Sequence, residues 1–293
     1  MKSYILKSFH EDNELFNKFG IFMQSLKYLI IFTAVSFFIN SCGDSADEYI
    51  RSAEIKMKAE KFGEAVTDLE KAVEIEKESD IVWALKGKAN FMSNDFETAI
   101  SDLNKSIEIN PKNEIAYYFR AYSRYFSGNA TDAVQDINEL LKINASNDSA
   151  YVLRASIFTD LDSLVKAESD LKKALELNPK NMQAYFGMGA LAVSVMEYET
   201  AIVYYEKVVQ LDPKFAEAYI NIGFCFSELN DYHSSIQNFT KAIELQPDSG
   251  LAYYNRGFSK IALGDRIGAC NDWSKAGELG YMDAYDIIQD NCK

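Results

Sequence analysis

Few residues of this sequence have the types and spacing that catalysis or metal binding requires. Histidine, a frequent general base and metal ligand, occurs only as His10 and His233. The sequence has no cysteine–histidine spacing typical of zinc, no G-x-S-x-G elbow and no phosphate loop. Residues 187–192 have the form G-x-G-x-x-A, but they fall within a predicted helix with no strand before it. We therefore expect no catalytic residue, no metal site and no cofactor, and hence no enzymatic activity.

One cysteine does have a spacing typical of covalent modification. A short basic flank precedes the apolar run Leu29–Ile39, and the small residue Ser41 stands directly before Cys42. The run is short for a transmembrane helix, which needs about 20 apolar residues, and this arrangement is typical of a secretory signal. Residues 39–42 resemble the lipobox of bacterial lipoproteins, in which the cysteine is acylated and becomes the first residue. The resemblance implies a signal peptide over residues 23–41, lipidation of Cys42 and membrane attachment through the acyl chains.

Residues 1–22 precede this signal and carry mixed charge without a clear periodicity. Because a signal that begins at Met23 is well proportioned, we interpret residues 1–22 as a leader from a misassigned start or as a disordered segment. Residues 42–45 are then a short lipidated tether. The alternative is a cytosolic protein with an apolar N-terminal helix.

A unit of 34 residues organises the rest of the chain. Tyr185 recurs as Tyr219, and Gly189 recurs as Gly223. Extension in both directions gives seven units in phase, with no insertion. The units cover residues 46–79, 80–113, 114–147, 148–181, 182–215, 216–249 and 250–283. A period of this length is typical of stacked supersecondary repeats.

Four positions of the unit carry a recognisable residue type. Position 4 is aromatic throughout: Tyr49, Trp83, Tyr117, Tyr151, Tyr185, Tyr219 and Tyr253. Position 8 is Ala53, Gly87, Ala121, Ala155, Gly189, Gly223 and Gly257, and position 20 is alanine except for Ser235. Proline occupies position 32 as Pro111, Pro179, Pro213 and Pro247, and is replaced by Lys77, Ala145 and Tyr281. This pattern resembles the tetratricopeptide repeat family.

Physical reasoning leads to the same fold class. Apolar residues recur at helical spacing, as in Ala65, Leu69, Ala72 and Val73. We expect the small residue at position 8 to face position 20, so that two helices approach closely, and the proline at 32 to end the second helix. Each helix pair leaves an apolar flank that only its neighbour covers. The predicted fold is therefore all-α: a right-handed superhelix, or α-solenoid, of seven helix-turn-helix repeats.

The C-terminal segment 284–293 is predicted to be a helix that caps the open end of the array. Cys270 lies on the second helix of the seventh unit, and Cys292 lies on this segment. In an oxidising compartment a Cys270–Cys292 disulfide would hold the cap, although two unpaired buried thiols are the alternative. Cys225 is expected to be a small buried thiol. The tail from Cys270 onward resembles the endings of repeat proteins from Bacteroidota, which implies such an origin.

The charge balance narrows the classes of partner. The formal net charge is −14 at pH 7, and the acidic residues are expected to lie mainly on solvent-facing helix surfaces. Nucleic acid is disfavoured as a partner, because binding to phosphates needs a basic surface. Adhesion to anionic lipid headgroups is disfavoured for the same reason.

The family resemblance implies that the first helices line a concave groove for a peptide or partner segment. Its groove positions hold Tyr118, Tyr122, Tyr125 and Phe126 in unit three, Phe186 in unit five, Ile220 and Phe224 in unit six, and Tyr254 and Phe258 in unit seven. Such rings suit a partner with apolar anchors and basic flanks, although packing between repeats is the other explanation for any single ring. The lysine–asparagine pair of chaperone-binding members is absent.

These observations predict a non-enzymatic protein-interaction scaffold, lipid-anchored in the bacterial cell envelope at the outer membrane, facing the periplasm or the exterior. One alternative is a pilotin-like factor that escorts an outer-membrane or secretion-complex subunit. The other is a periplasmic module that binds glycan or peptide fragments.

Overall fold

The structure, a computed structural model, describes residues 45–292. This part contains fifteen α-helices and no strand, so the predicted all-α fold class is confirmed. The leader, the signal peptide and Cys42 lie outside the described residues. No helix in the described part is long and apolar enough to cross a membrane.

The helices form consecutive hairpins. They are α1 Ala46–Lys58, α2 Phe62–Ile75, α3 Asp80–Met92, α4 Phe96–Ile109, α5 Glu114–Phe126, α6 Ala130–Ile143, α7 Asp148–Asp160, α8 Leu164–Leu177, α9 Met182–Ser194, α10 Tyr198–Leu211, α11 Ala216–Glu228, α12 Tyr232–Leu245, α13 Gly250–Ala262, α14 Arg266–Glu278 and α15 Asp283–Asn291. The chain divides into two compact units, which meet in sequence between Leu153 and Arg154. We describe each unit separately.

Within a hairpin, the small residue at position 8 lies beneath the large residue at position 24. A Cβ on Gly189 would lie 2.6 Å from Cε1 of Tyr205, and one on Gly223 would lie 3.0 Å from the Phe239 ring. We expected position 8 to face the alanine at position 20, and a Cβ on Gly87 would lie 3.2 Å from Ala99 O, but Leu103 at position 24 would be closer. The ring at position 24 covers the glycine because the missing side chain leaves room for it, which lets a large residue stay fully buried between the two helices.

The aromatic residue at position 4 ties the first helix of a repeat to the turn that precedes it. Its polar atom donates a hydrogen bond to the backbone carbonyl six residues earlier, in the turn between repeats. Trp83 Nε1 donates to Lys77 O at 2.8 Å, and the hydroxyls of Tyr185 and Tyr219 donate to Pro179 O and Pro213 O at 3.3 Å. These bonds satisfy backbone carbonyl groups of the turn that follows the second helix.

Five aspartates at position 23 are buried, which departs from the expectation for acidic residues. They are Asp68, Asp102, Asp136, Asp170 and Asp272. Each forms an ion pair with a base on the first helix of its own hairpin: Lys56, Lys86, Arg120 with Arg124, Arg154, and Arg256 with Lys260, respectively. Repeats five and six carry Tyr204 and Asn238 at this position and Met188 and Ile222 opposite. The pairs therefore join the two helices of a hairpin in five of the seven repeats.

The last helix, α15, occupies the place of the first helix of an eighth repeat. The next 34-residue step would begin at residue 284, and α15 begins at Asp283. Its Tyr285 ring lies against Gly277 of α14, where a Cβ would come within 2.8 Å of the ring. Cys292 forms a disulfide with Cys270 of α14, with sulfur atoms 2.02 Å apart. The cap is thus attached to α14 by packing and by a covalent bond.

The buried ion pairs predict an asymmetric response to mutation. The Asp170→Ala substitution leaves the Arg154 guanidinium, which donates to both Asp170 oxygens at 2.7 Å, without its carboxylate. We expect a loss of about 3 kcal/mol in the free energy of unfolding. The double variant Arg154→Met/Asp170→Leu removes both charges and should lie within about 1 kcal/mol of the wild type. Urea denaturation followed by circular dichroism measures both. Equal losses in the single and double variants would contradict the assignment.

Candidate functional site

Of the residues first considered for chemistry, His10 lies outside the described residues, and the others lie on different helices. Among the described residues, no group of three His, Cys, Asp or Glu side chains could hold a metal ion. Burial raises the pKa of the Cys225 thiol to about 12, so that little nucleophilic thiolate exists at neutral pH. The residues 187–192 lie within α9, and His233 is exposed on α12.

In the first unit, seven aromatic rings on three helices form one aromatic cluster. Its members are Phe91 of α3, Phe96 of α4, and Tyr118, Phe119, Tyr122, Tyr125 and Phe126 of α5. The Phe91 ring is central, with centroids 5.6 Å from Phe119, 5.4 Å from Tyr122 and 6.0 Å from Phe126. Separations of this size are those at which aromatic rings attract each other. The four predicted groove residues of unit three are therefore neighbours.

The rings of the aromatic cluster differ in how much they can offer a partner. Tyr122 is only 7% exposed, so this ring acts mainly in packing. Tyr125 and Phe126 are half-buried and keep surface that a partner can contact. Tyr118 is also half-buried, but its hydroxyl is buried and makes no hydrogen bond of acceptable geometry. Burial raises the pKa of Tyr118 well above its usual value, and the nearby Tyr122 adds to the effect.

A lysine lies against this cluster. The Lys88 ammonium of α3 is 5.3 Å from the centroid of the Phe119 ring, a distance at which cation–π attraction operates. Burial lowers the pKa of Lys88, while the negative charge of Glu54 on α1 opposes that shift. Lys88 and Glu54 hold the same position in consecutive repeats. The candidate surface of the first unit therefore combines aromatic rings with one cation and one anion.

The candidate surface of the second unit is apolar at the predicted groove positions. Phe186 packs against Tyr205 and Phe215, with centroids 5.3 and 5.6 Å away, and Ile220 is 8% exposed. Phe224 contacts the Tyr198 ring at 6.2 Å. The structure therefore places these three side chains largely in the packing of their repeats.

Phe258 is the most accessible of the predicted groove rings. It is 38% exposed although it contacts Tyr254 and Trp273, with centroids 5.0 and 5.3 Å away. Tyr254 also contacts Tyr281, at 4.5 Å. Because Trp273 lies beneath the ring and Tyr254 beside it, Phe258 is held in place while part of its surface faces outward. Such a rigid, partly exposed ring is suited to anchor a partner.

Sequence reasoning missed Lys88, Phe91, Phe96 and Phe119 as members of the candidate surface. Lys88 and Phe91 occupy groove positions of the second repeat, so the spacing could have indicated them. Phe119 lies one residue after a groove position, and Phe96 lies on a second helix. The sequence pattern did not indicate either residue as part of the candidate surface, because their positions there depend on contacts between different repeats.

Comparisons with known families identify the repeats. Models described as tetratricopeptide repeat match residues 82–113, 148–181, 183–215 and 216–249, and a model described as SHNi-TPR matches residues 46–79. A search of curated proteins found no match.

Solved structures share the fold. A tetratricopeptide repeat protein from Parabacteroides merdae has a TM-score of 0.64 at 20% identity, covering 86% of this chain and 100% of that one. The Cut9–Hcn1 structure of the APC/C has a TM-score of 0.68 at 14% identity over 85% of this chain, which spans 54% of the matched chain. The Pseudomonas aeruginosa pilF structure has a TM-score of 0.64 at 15% identity, covering 73% of this chain and 97% of that one. At these identities the likeness establishes the fold.

The Tyr118 hydroxyl predicts an unusual mutational result. The Tyr118→Phe substitution removes a buried hydroxyl that makes no hydrogen bond of acceptable geometry, so the folded state loses nothing and sheds a desolvated polar group. We expect stability to stay unchanged or to rise by up to about 1 kcal/mol. Thermal denaturation measures it. The matched control is Tyr117→Phe, which removes a tyrosine hydroxyl from the neighbouring position of the same helix. A loss above about 1 kcal/mol in Tyr118→Phe would show that the hydroxyl does find a partner.

Proposed function

We propose that this chain, which belongs to the tetratricopeptide repeat family, is a non-enzymatic scaffold that binds a segment of a partner protein on the concave surfaces formed by its first helices. The observation that carries the proposal is the set of partly exposed rings on these helices, with Phe258 the most accessible. Aromatic side chains held rigidly at a surface contribute much of the binding energy in protein interfaces. The net charge of −14 supports a protein rather than a nucleic acid as the partner.

We further propose that acyl chains on Cys42 anchor the scaffold in the bacterial cell envelope, at the outer membrane. The support is the order of a basic flank, an apolar run and a small residue before Cys42. The first helix begins at Ala46, where the Ser45 hydroxyl accepts a hydrogen bond from Glu48 N at 3.3 Å. Four residues span at most roughly 15 Å, so the anchor would hold the first repeat close to the membrane surface.

The binding proposal is tested by capture of a partner. Envelope crosslinking followed by mass spectrometry compares the wild type with Phe258→Ala. Loss of a ring that anchors an interface costs 2 kcal/mol or more, so we expect capture of the partner to fall by about 30-fold. The matched control is Ile267→Ala, which truncates a side chain that is 79% exposed on the second helix of the same repeat. Circular dichroism must show that both variants fold. Equal capture by Phe258→Ala and wild type would contradict a role for this surface.

The anchoring proposal is tested by fractionation of cells. The Cys42→Ser variant lacks the sulfur that the acyl chain requires, so we expect the protein to move from the membrane fraction to the soluble fraction. The control Ser41→Ala keeps a small residue before the cysteine and should stay with the membrane. Incorporation of labelled fatty acid provides a second readout. A Cys42→Ser protein that remains with salt-washed membranes would contradict lipid anchoring.

A further inference from the structure

Lys88 differs from the other partly buried bases of the first unit. Lys56, Lys86, Arg120 and Arg124 each form an ion pair with a buried aspartate of their own hairpin. Among the described residues, no carboxylate lies within salt-bridge distance of the Lys88 ammonium, which lies over the Phe119 ring. This part of the surface therefore presents a cation that the fold itself does not neutralise.

The surroundings of Lys88 make an incoming anion favourable. A charged group that is taken out of water without a partner carries a free-energy cost, and burial lowers the pKa of Lys88 accordingly. Glu54 acts on Lys88 through its charge alone. A carboxylate that reached the ammonium would form a charge-assisted hydrogen bond in a partly desolvated setting, where such bonds are strongest. The adjoining rings would at the same time contact an apolar side chain next to that carboxylate.

We propose that Lys88 recognises one Asp or Glu side chain of the bound partner segment, next to an aromatic or aliphatic residue that packs on the aromatic cluster. The proposal rests on the proposed function, since it specifies the chemistry of a segment bound to the same surface. It also revises the expectation of basic flanks for the part of the segment that meets the first unit.

The charges around Lys88 limit how many carboxylates the partner segment can place there. A second carboxylate beside the first would meet Glu54 of the preceding repeat and be repelled. The whole chain, at −14, also repels acidic groups at long range, so a preference for acid has to come from a local cation. Lys88 lies on the second of three consecutive repeats in this unit, and a segment can continue past it in both directions. An Asp or Glu side chain within the segment therefore fits this position. The experiment compares it with the other possible source of a carboxylate, a free C-terminus.

The experiment selects peptides from random libraries with the full chain, purified in detergent. One library displays 12-residue peptides fused at both ends, so that they have no free carboxylate, and the other presents a free C-terminus. The wild type is compared with Lys88→Met, Lys88→Arg and Lys58→Met. Lys58→Met removes an exposed lysine from the first repeat and serves as the control for net charge. Thermal denaturation confirms that each variant folds.

We expect the wild type to enrich peptides from the internal library that carry one Asp or Glu beside an apolar residue. Replacement of that acid by its amide should weaken binding about tenfold, as for one charge-assisted hydrogen bond. Lys88→Arg and Lys58→Met should keep this preference. Lys88→Met should lose it while still selecting the apolar residue.

Three other kinds of result would overturn the proposal in different ways. Apolar peptides without an acidic preference, or a preference found only with a free C-terminus, would refute the role of Lys88 and leave the scaffold function standing. If no peptide were enriched by any of the four proteins, the proposed function and the inference would both fail. An unchanged acidic preference in Lys88→Met would place the anion site at another residue.

Discussion

The close approach of the two helices in each hairpin is the constraint on which the rest of the structure depends. A small residue at position 8 lets the large residue at position 24 fill the space between the helices, as Tyr205 does over Gly189. Because this contact recurs every 34 residues, each first helix keeps the same face toward its own second helix. The residues on its remaining face are thereby presented at the surface in register from one repeat to the next. Both candidate surfaces follow from this repeated orientation.

The same constraint explains why the two units offer different surfaces. In the first unit the presented positions of consecutive repeats bring Glu54, Lys88 and Tyr122 into one row. In the second unit the equivalent positions of repeats five to seven hold Ala190, Phe224 and Phe258. At these positions a partner segment on the first unit meets charge as well as a ring, whereas one on repeats five to seven meets apolar side chains. Specificity by charge can therefore arise in the first unit, and apolar anchoring can arise in both.

The sequence predicted much of the fold because the information is periodic. Position 8, position 20 and the proline at position 32 recur at a constant interval, which can be recognised before any contact between residues is known. The buried aspartates were not predicted, although Asp136 and Asp170 recur at the same interval. An acidic residue is expected to be exposed unless its basic partner is known, and here the partner lies 16 residues earlier on the facing helix. Phe119 and the burial of Tyr122 were also missed. Both residues contact Phe91 of α3, which belongs to a different repeat, and the 34-residue period does not predict which rings are in contact between repeats.

Lys86 and Lys88 show how one helix gives the same residue type two different environments. They are two residues apart on α3, which turns their side chains roughly 200° apart around the helix axis. Lys86 faces its own second helix and forms an ion pair with Asp102 at 3.0 Å. Lys88 points instead toward the first helix of the following repeat, where it meets the Phe119 ring. The fold neutralises a cation that faces into the hairpin, because the hairpin supplies the aspartate. Lys88, on the other face of the helix, has no such aspartate within its repeat. This difference is the reason that we expect a carboxylate of the bound segment to pair with it.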